Sequence, residues 1–113
     1  MAVTYYREII PNNIDFKVIR QKQKSCIEAN LIISSIRGAT YNLKLDEPKL
    51  LSDATNVVDF FQSLDIKDIE FVKIFRESTQ CGNTKHISGR IEVWLKDKSI
   101  SMIHCSKIHG LPR

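Results

Sequence analysis

Glycine and proline are scarce in this chain, four and three among 113 residues, and no apolar run approaches the roughly 18 residues that a membrane-spanning helix needs. The first ten residues carry Arg7 and Glu8 inside their apolar stretch, which is wrong for the h-region of a secretory signal. Three cysteines, Cys26, Cys81 and Cys105, cannot all pair within one chain, so a reducing, cytoplasmic location is expected. There is no internal repeat, no low-complexity tract, and no catalytic or cofactor motif above background. A membrane protein, a disulfide scaffold and a cofactor enzyme are therefore not expected.

The chain is 42% hydrophobic and 27% charged, close to the globular average, which argues against disorder and for a single domain spanning 1–113. Isoleucine is overused, as in Ile9-Ile10, Ile32-Ile33 and Ile100 to Ile103, and a β-branched surplus favours sheet. Charge is sorted along the chain. Residues 1–45 hold seven Lys/Arg against three acids, residues 46–72 two against seven, and residues 73–113 eight against three. Such sorting makes a polarised surface, which steers a partner of opposite sign.

Thr4 to Ile10 reads as a strand or one helical turn, stopped by Pro11 and Asn12-Asn13. Asp15 to Arg20 reads as a strand, and the polar run Arg20 to Ser25 argues against one helix bridging Ile14 to Ile36. Cys26 to Ile36 supports two readings. As a helix over about 26–37 it has Ser25 and Glu28 as a capping box and Arg37-Gly38 as a stop. As a strand it puts Ile27, Ala29, Leu31 and Ile33 on one face, and this reading is preferred because Gly38 then turns into Thr40 to Leu45, where Tyr41, Leu43 and Leu45 alternate with polar residues. Ser52 or Asp53 can cap the clearest helix, about 53–64, in which Ala54, Val57, Val58, Phe61 and Leu64 keep helical spacing.

After Asp65 the period becomes two. Ile69, Phe71, Lys73 and Phe75 share one face and Val72 and Ile74 the other, so a central and largely covered strand is expected. Glu77 to His86 reads as a polar loop. Ile87, Gly89, Ile91, Val93 and Leu95 then alternate with Ser88, Arg90, Glu92, Trp94 and Lys96, the turn Asp97-Lys98 lacks the usual glycine, and Ser99 to Cys105 returns. The expected fold is α+β: a mostly antiparallel sheet ending in a three-strand C-terminal meander, with the 53–64 helix, and the 26–37 helix if it forms, packed on one face.

Two groups of residues are candidates for a partner-binding surface. Arg90, Trp94 and Lys96, joined by Glu92, point away from the core if Ile91, Val93 and Leu95 point in, and an aromatic beside Arg is the composition of a binding hot spot. Against this, a lone Trp also packs readily beneath a neighbouring element. Asp53, Asp59, Asp65 and Asp68, with Asp46, Glu47 and Glu70, gather around the helix and suit a basic partner such as a nuclease, though solvated helix faces look the same.

Two chemical constellations and one electrostatic one carry less weight. Cys81 and His86 are five apart and Cys105 and His109 four apart, ligand types for zinc without knuckle spacing; no metal is expected. His86, His104 and His109 with Lys85 and Lys107 hold the groups a ribonuclease would need, as any short basic chain does. Lys17, Arg20, Lys22, Lys24, Lys85, Arg90, Lys96, Lys98 and Lys107 could face phosphates. The leading expectation is a small non-enzymatic protein-binding domain, an inhibitor or immunity-type protein that neutralises a toxin or nuclease. A nucleic-acid-binding module comes second and a His-dependent ribonuclease third.

Overall fold

The structure, a computed structural model, describes residues 2–23, 25–51 and 56–110; the side chains of 2–4, 79–81, 85 and 86 are outside that description. In chain order the elements are β1 (Ala2–Ile9), β2 (Pro11–Lys22), β3 (Ser25–Ser35), β4 (Thr40–Asp46), β5 (Lys49–Leu50), α1 (Val57–Ser63), a 3-10 turn (Ile66–Asp68), β6 (Ile69–Cys81), β7 (Thr84–Leu95), β8 (Ile100–Cys105) and β9 (Lys107–His109). The protein is mostly antiparallel sheet with one α-helix among the described residues, broadly α+β. None of the described helices is long and apolar enough to cross a membrane.

The strands form two sheets, a five-stranded one ordered β1-β6-β7-β8-β5 and a four-stranded one ordered β2-β3-β4-β9. Their inward rows are set by alternation: Val72, Ile74, Ile91, Val93 and Ile103 from the first sheet and Ala29, Leu31, Ile33, Leu43 and Leu45 from the second are fully buried. Each Leu, Ile or Val so buried contributes roughly 1.5–3 kcal/mol, an upper estimate because the unfolded chain is already partly collapsed.

The sheets share bent strands. Asp46 pairs with Lys107 and Lys49 with His104 in one unbroken register, so β4 runs into β5, and β8 into β9, around a common corner. The corner is held where Glu47 N donates to Ile27 O (2.8 Å) and Ser106 N to Asp46 O (2.9 Å). Followed through its bends, the sheet passes from β1/β2 to β3, β4/β5, β8/β9, β7 and β6 and returns to β1, a flattened ring.

Several sequence expectations change here. Cys26 to Ile36 is a strand, and the alternative helix over 26–37 does not form: β3 lies between β2 and β4 with Ala29, Leu31 and Ile33 fully buried, while Ile36, which the helix would have buried, is 58% exposed. Glu28 is no cap but an acceptor of ion pairs from Lys44 (2.6 Å) and Arg20 (3.9 Å). Glu77 to His86 is not a loop, because β6 and β7 pair as far as Cys81 and Thr84 around Gly82-Asn83. Gly82 has φ 62, the sign a type II′ turn needs at its first central position, so a two-residue Gly-Asn signal stands in a segment whose polarity hides it.

β6, β7 and β8 are consecutive antiparallel neighbours, but the sheet does not end with them: β1 flanks β6, β5 flanks β8, and the chain continues into β9 of the other sheet. The turn after β7 solves its lack of glycine by placing Lys98 at φ 76. Leu95 N donates to Ser99 O (2.9 Å), and the Asp97 carboxylate accepts from the Ser99 hydroxyl and amide, which hold it below the usual carboxylate range.

The expected caps Ser52 and Asp53 lie outside the described residues; α1 is capped by Asn56, whose Oδ1 accepts from Asp59 N (2.9 Å). The helix does not lie on an outer sheet face. Phe61 stacks on Phe16 (4.5 Å between centroids), and Phe16 pairs across to buried Leu31, so α1 covers the inward side of β2. At the other end of the core the Tyr5 hydroxyl is buried and makes no hydrogen bond of acceptable geometry among the described residues. Burial pushes its pKa up, and the nearby Arg7 guanidinium opposes that rise only in part. Tyr5→Phe should therefore raise stability by about 1 kcal/mol in urea unfolding, since a buried unpaired hydroxyl costs about that much. A loss of about 1 kcal/mol or more would show that the hydroxyl is well bonded, with Arg7 as the donor.

Candidate functional site

The outward face of the five-stranded sheet is a set of cross-strand rows. One row runs Tyr6–Phe75–Arg90–His104, the next Glu8–Lys73–Glu92–Met102, and the third Phe71–Trp94–Ile100. No described element covers this face, where Tyr6, Ile100 and Met102 are exposed, as is Leu51, whose amide bonds Met102 O. Rings and cations interleave. Trp94 stacks on Phe71 (5.2 Å between centroids), Lys73 Nζ lies 4.4 Å from the Trp94 centroid, the Arg90 guanidinium lies 4.2 Å from that of Phe75, and Tyr6 leans on Phe75 at 4.9 Å.

Glu92 is the electrostatic centre, only 7% exposed. Arg90 Nε donates to its Oε2 (2.9 Å), Trp94 Nε1 to its Oε1 (3.1 Å), and Lys73 is its cross-strand neighbour. Arg90 Nη1 also donates to Glu77 Oε1 (3.1 Å). A buried carboxylate is tolerable only when paired and hydrogen-bonded, so these partners fix the rotamers of Arg90 and Trp94. These contacts order the face before any ligand arrives, and Arg90 is matched by both Glu77 and Glu92.

Arg90 and Trp94 share this face, half-buried, as their alternation implies. Trp94 lies under no described helix or N-terminal segment; its stacking partner is a neighbour in the same sheet. Lys96 does not join them, because β7 ends at Leu95 and Lys96 turns to donate its amide to Asp68 O (2.9 Å), which puts both residues at the rim. The cation over the Trp ring is Lys73. Its row is visible in the alternation Phe71, Lys73, Phe75, but that pattern predicts a largely covered β6. The strand is central, between β1 and β7, yet only its Val72–Ile74 face is covered. Ile69 leaves the outward row for the core because the register shifts between Ile69 and Phe71.

Asp59, Asp65 and Asp68 are exposed near the helix, and Asp53 lies outside the described residues. Asp59 closes the cap with Asn56 (Nδ2 to Oδ2, 3.2 Å), and Asp65 Oδ1 accepts from Lys67 N (3.0 Å) to start the 3-10 turn. Local backbone needs therefore account for two of these acids.

The metal and ribonuclease constellations do not assemble among the described residues. Cys105 is fully buried in the core, where desolvation pushes its thiol up to about 12, and His109 is four residues on in the other sheet, 3.1 Å from Asp46. His104 sits beside Arg90 on the outward face, so these two histidines belong to different sheets. The side chains of Cys81, Lys85 and His86 are outside the described residues, as is Lys24. Lys17, Arg20 and Lys107 belong to the four-stranded sheet and Arg90 to the five-stranded one.

Comparison with protein-family models, with curated proteins and with solved structures gave no match.

Proposed function

We propose that this chain is a non-enzymatic protein-binding domain that engages its partner with the outward face of the five-stranded sheet. The observation that carries this reading is an uncovered, ordered set of aromatic, aliphatic and Arg side chains in which Arg90 is already paired with two carboxylates of the face itself. Interfaces of this composition concentrate their energy in Trp, Tyr and Arg held in fixed rotamers. A nucleic-acid surface would need surplus positive charge and free ring faces for stacking. Here Lys73 stands over the Trp94 ring, and Arg90 is paired with both Glu77 and Glu92. The exposed acids Asp59, Asp65, Asp68 and Glu70 would steer a basic protein, as an inhibitor or immunity-type protein that neutralises a toxin or nuclease requires.

A photo-crosslinking residue at Met102 should trap a protein in the native host, whereas one at Asn42, on the outer face of the other sheet, should not. Trp94→Ala should weaken that partner's binding about 10- to 100-fold, corresponding to roughly 1.5–3 kcal/mol, while the protein stays folded by circular dichroism. Trapping from Asn42 alone, or unchanged affinity in Trp94→Ala, would place the interface elsewhere. Saturable binding of single-stranded RNA that quenches Trp94 and disappears in Trp94→Ala would assign the face to nucleic acid instead.

A further inference from the structure

We propose that a second site, the cavity between the β1–β2 corner and the β3–β4 turn, binds a small molecule carrying a carboxylate or phosphate on an apolar body. The cavity measures about 360 Å³ and is lined by Arg7 and Glu8 to Ile10 on one side and Ser35 to Arg37, Ala39 and Tyr41 on the other. That volume lies in the range of small-molecule sites, roughly 300–1,000 Å³. Its two walls are tied together where Ile36 N donates to Ile10 O (3.0 Å), so the opening is part of the fold rather than a gap between loose segments.

Arg7 and Arg37 bring two guanidinium groups to this cavity, and neither has a carboxylate within ion-pair distance among the described residues. The acid in the wall, Glu8, accepts a bond from the Tyr6 hydroxyl (3.2 Å). Arg37 stands on a fixed turn, where Ser35 Oγ accepts from Arg37 N (2.9 Å) and Gly38 at φ 94 lets the chain reverse, and its side chain is exposed at the rim of the opening. β1 alternation places Arg7 on the side of Tyr5 and Ile9, where it stays exposed at the rim with its guanidinium 5.4 Å from the centroid of the Tyr5 ring. Behind it is the buried Tyr5 hydroxyl, with no hydrogen bond of acceptable geometry among the described residues.

Two guanidinium-bearing residues at one opening suit the paired oxygens of a carboxylate or phosphate, which an Arg fork can bind in bidentate fashion. Ile9, Ile10 and Ile36 supply an apolar wall for the rest of the ligand. This site borders the aromatic face at Glu8, but it does not depend on the protein-binding reading.

The test is titration of the full chain, at constant ionic strength set with chloride, with inorganic phosphate, succinate and phenyl phosphate, followed by NMR of the Arg side chains and by thermal shift. Saturable changes at Arg7 and Arg37 are expected, with phenyl phosphate at least tenfold tighter than phosphate because its ring meets the isoleucines. Arg37→Gln, at an exposed turn position, should weaken binding at least tenfold with the fold intact. Lys17→Gln, on the four-stranded sheet, should leave it unchanged. The proposal fails if no probe gives saturable shifts, if chloride reproduces them, or if Arg37→Gln retains full affinity. Tighter binding of phosphate than of phenyl phosphate would overturn the apolar part of the assignment.

Discussion

Gly89→Val should leave no folded protein at 25 °C, and Gly89→Ala should cost about 2–3 kcal/mol in urea unfolding, because adding volume to a filled core forces side chains off their rotamers and shifts backbone. Gly89 is buried in β7, and a Cβ built on it would run into the Ile108 side chain, at its Cγ1 and Cδ1 atoms. Ile108 is itself 3% exposed and belongs to β9, so it cannot swing into solvent without opening the core. The conflict predicts its own remedy. Ile108→Ala alone should cost about 2–5 kcal/mol as a cavity, but Gly89→Ala combined with Ile108→Ala should be clearly more stable than the two single costs added together. Simple additivity would mean that Gly89 is required for its backbone alone. Its φ is not in the left-handed region, so space is the physical reason for glycine here.

Arg90→Ala should cost about 2–3 kcal/mol, the second large effect. Arg90 bridges Glu92 and Glu77, whose side chains are 9% and 12% exposed, so truncating it leaves two largely desolvated carboxylates with one cation fewer. Breaking a buried ion pair from one side is strongly destabilising for that reason, and the partial exposure of Arg90 itself keeps the value below the upper range. A double-mutant cycle with Glu92→Gln should show a coupling of about 1–2 kcal/mol. A loss under about 0.5 kcal/mol for Arg90→Ala would show that water already serves the carboxylates, and the face would then not be pre-ordered. The same variant separates roles: Arg90→Ala should lose stability together with partner binding, whereas Trp94→Ala should lose mainly binding.

The inward-facing residues are largely legible in the sequence. Alternation in Ile91 and Val93, in Leu43 and Leu45, and in Leu31 and Ile33 places each of them in the core, because a pleated strand with one wet face must alternate. Arg90 and Trp94 follow as their outward neighbours. Alternation does not tell which outward face stays uncovered, so it gives a largely covered β6 although Phe71, Lys73 and Phe75 form the open face. Nor does polarity distinguish a loop from a paired hairpin, and for that reason Glu77 to His86 reads as a loop although it pairs as strands. Lys96 departs from expectation for a local reason: the strand ends one residue earlier, at a turn fixed by the Ser99 bonds to Asp97.

Local chemistry along the chain determined the inside and outside of most strands, the helix around Val57 to Ser63, and the acidic surroundings of that helix, since side-chain period and charge are properties of neighbours in sequence. The tertiary structure alone decided the rest. Bending β4 into β5 and β8 into β9 joins two sheets at a corner, seats Ile108 where only Gly89 leaves room, and leaves Trp94, Phe71 and Tyr6 on a face with no described element over it. It also brings Arg7 and Arg37, thirty residues apart in the chain, to the two sides of one cavity. Such contacts depend on pairings between segments far apart in sequence, for which short-range periodicity carries no information.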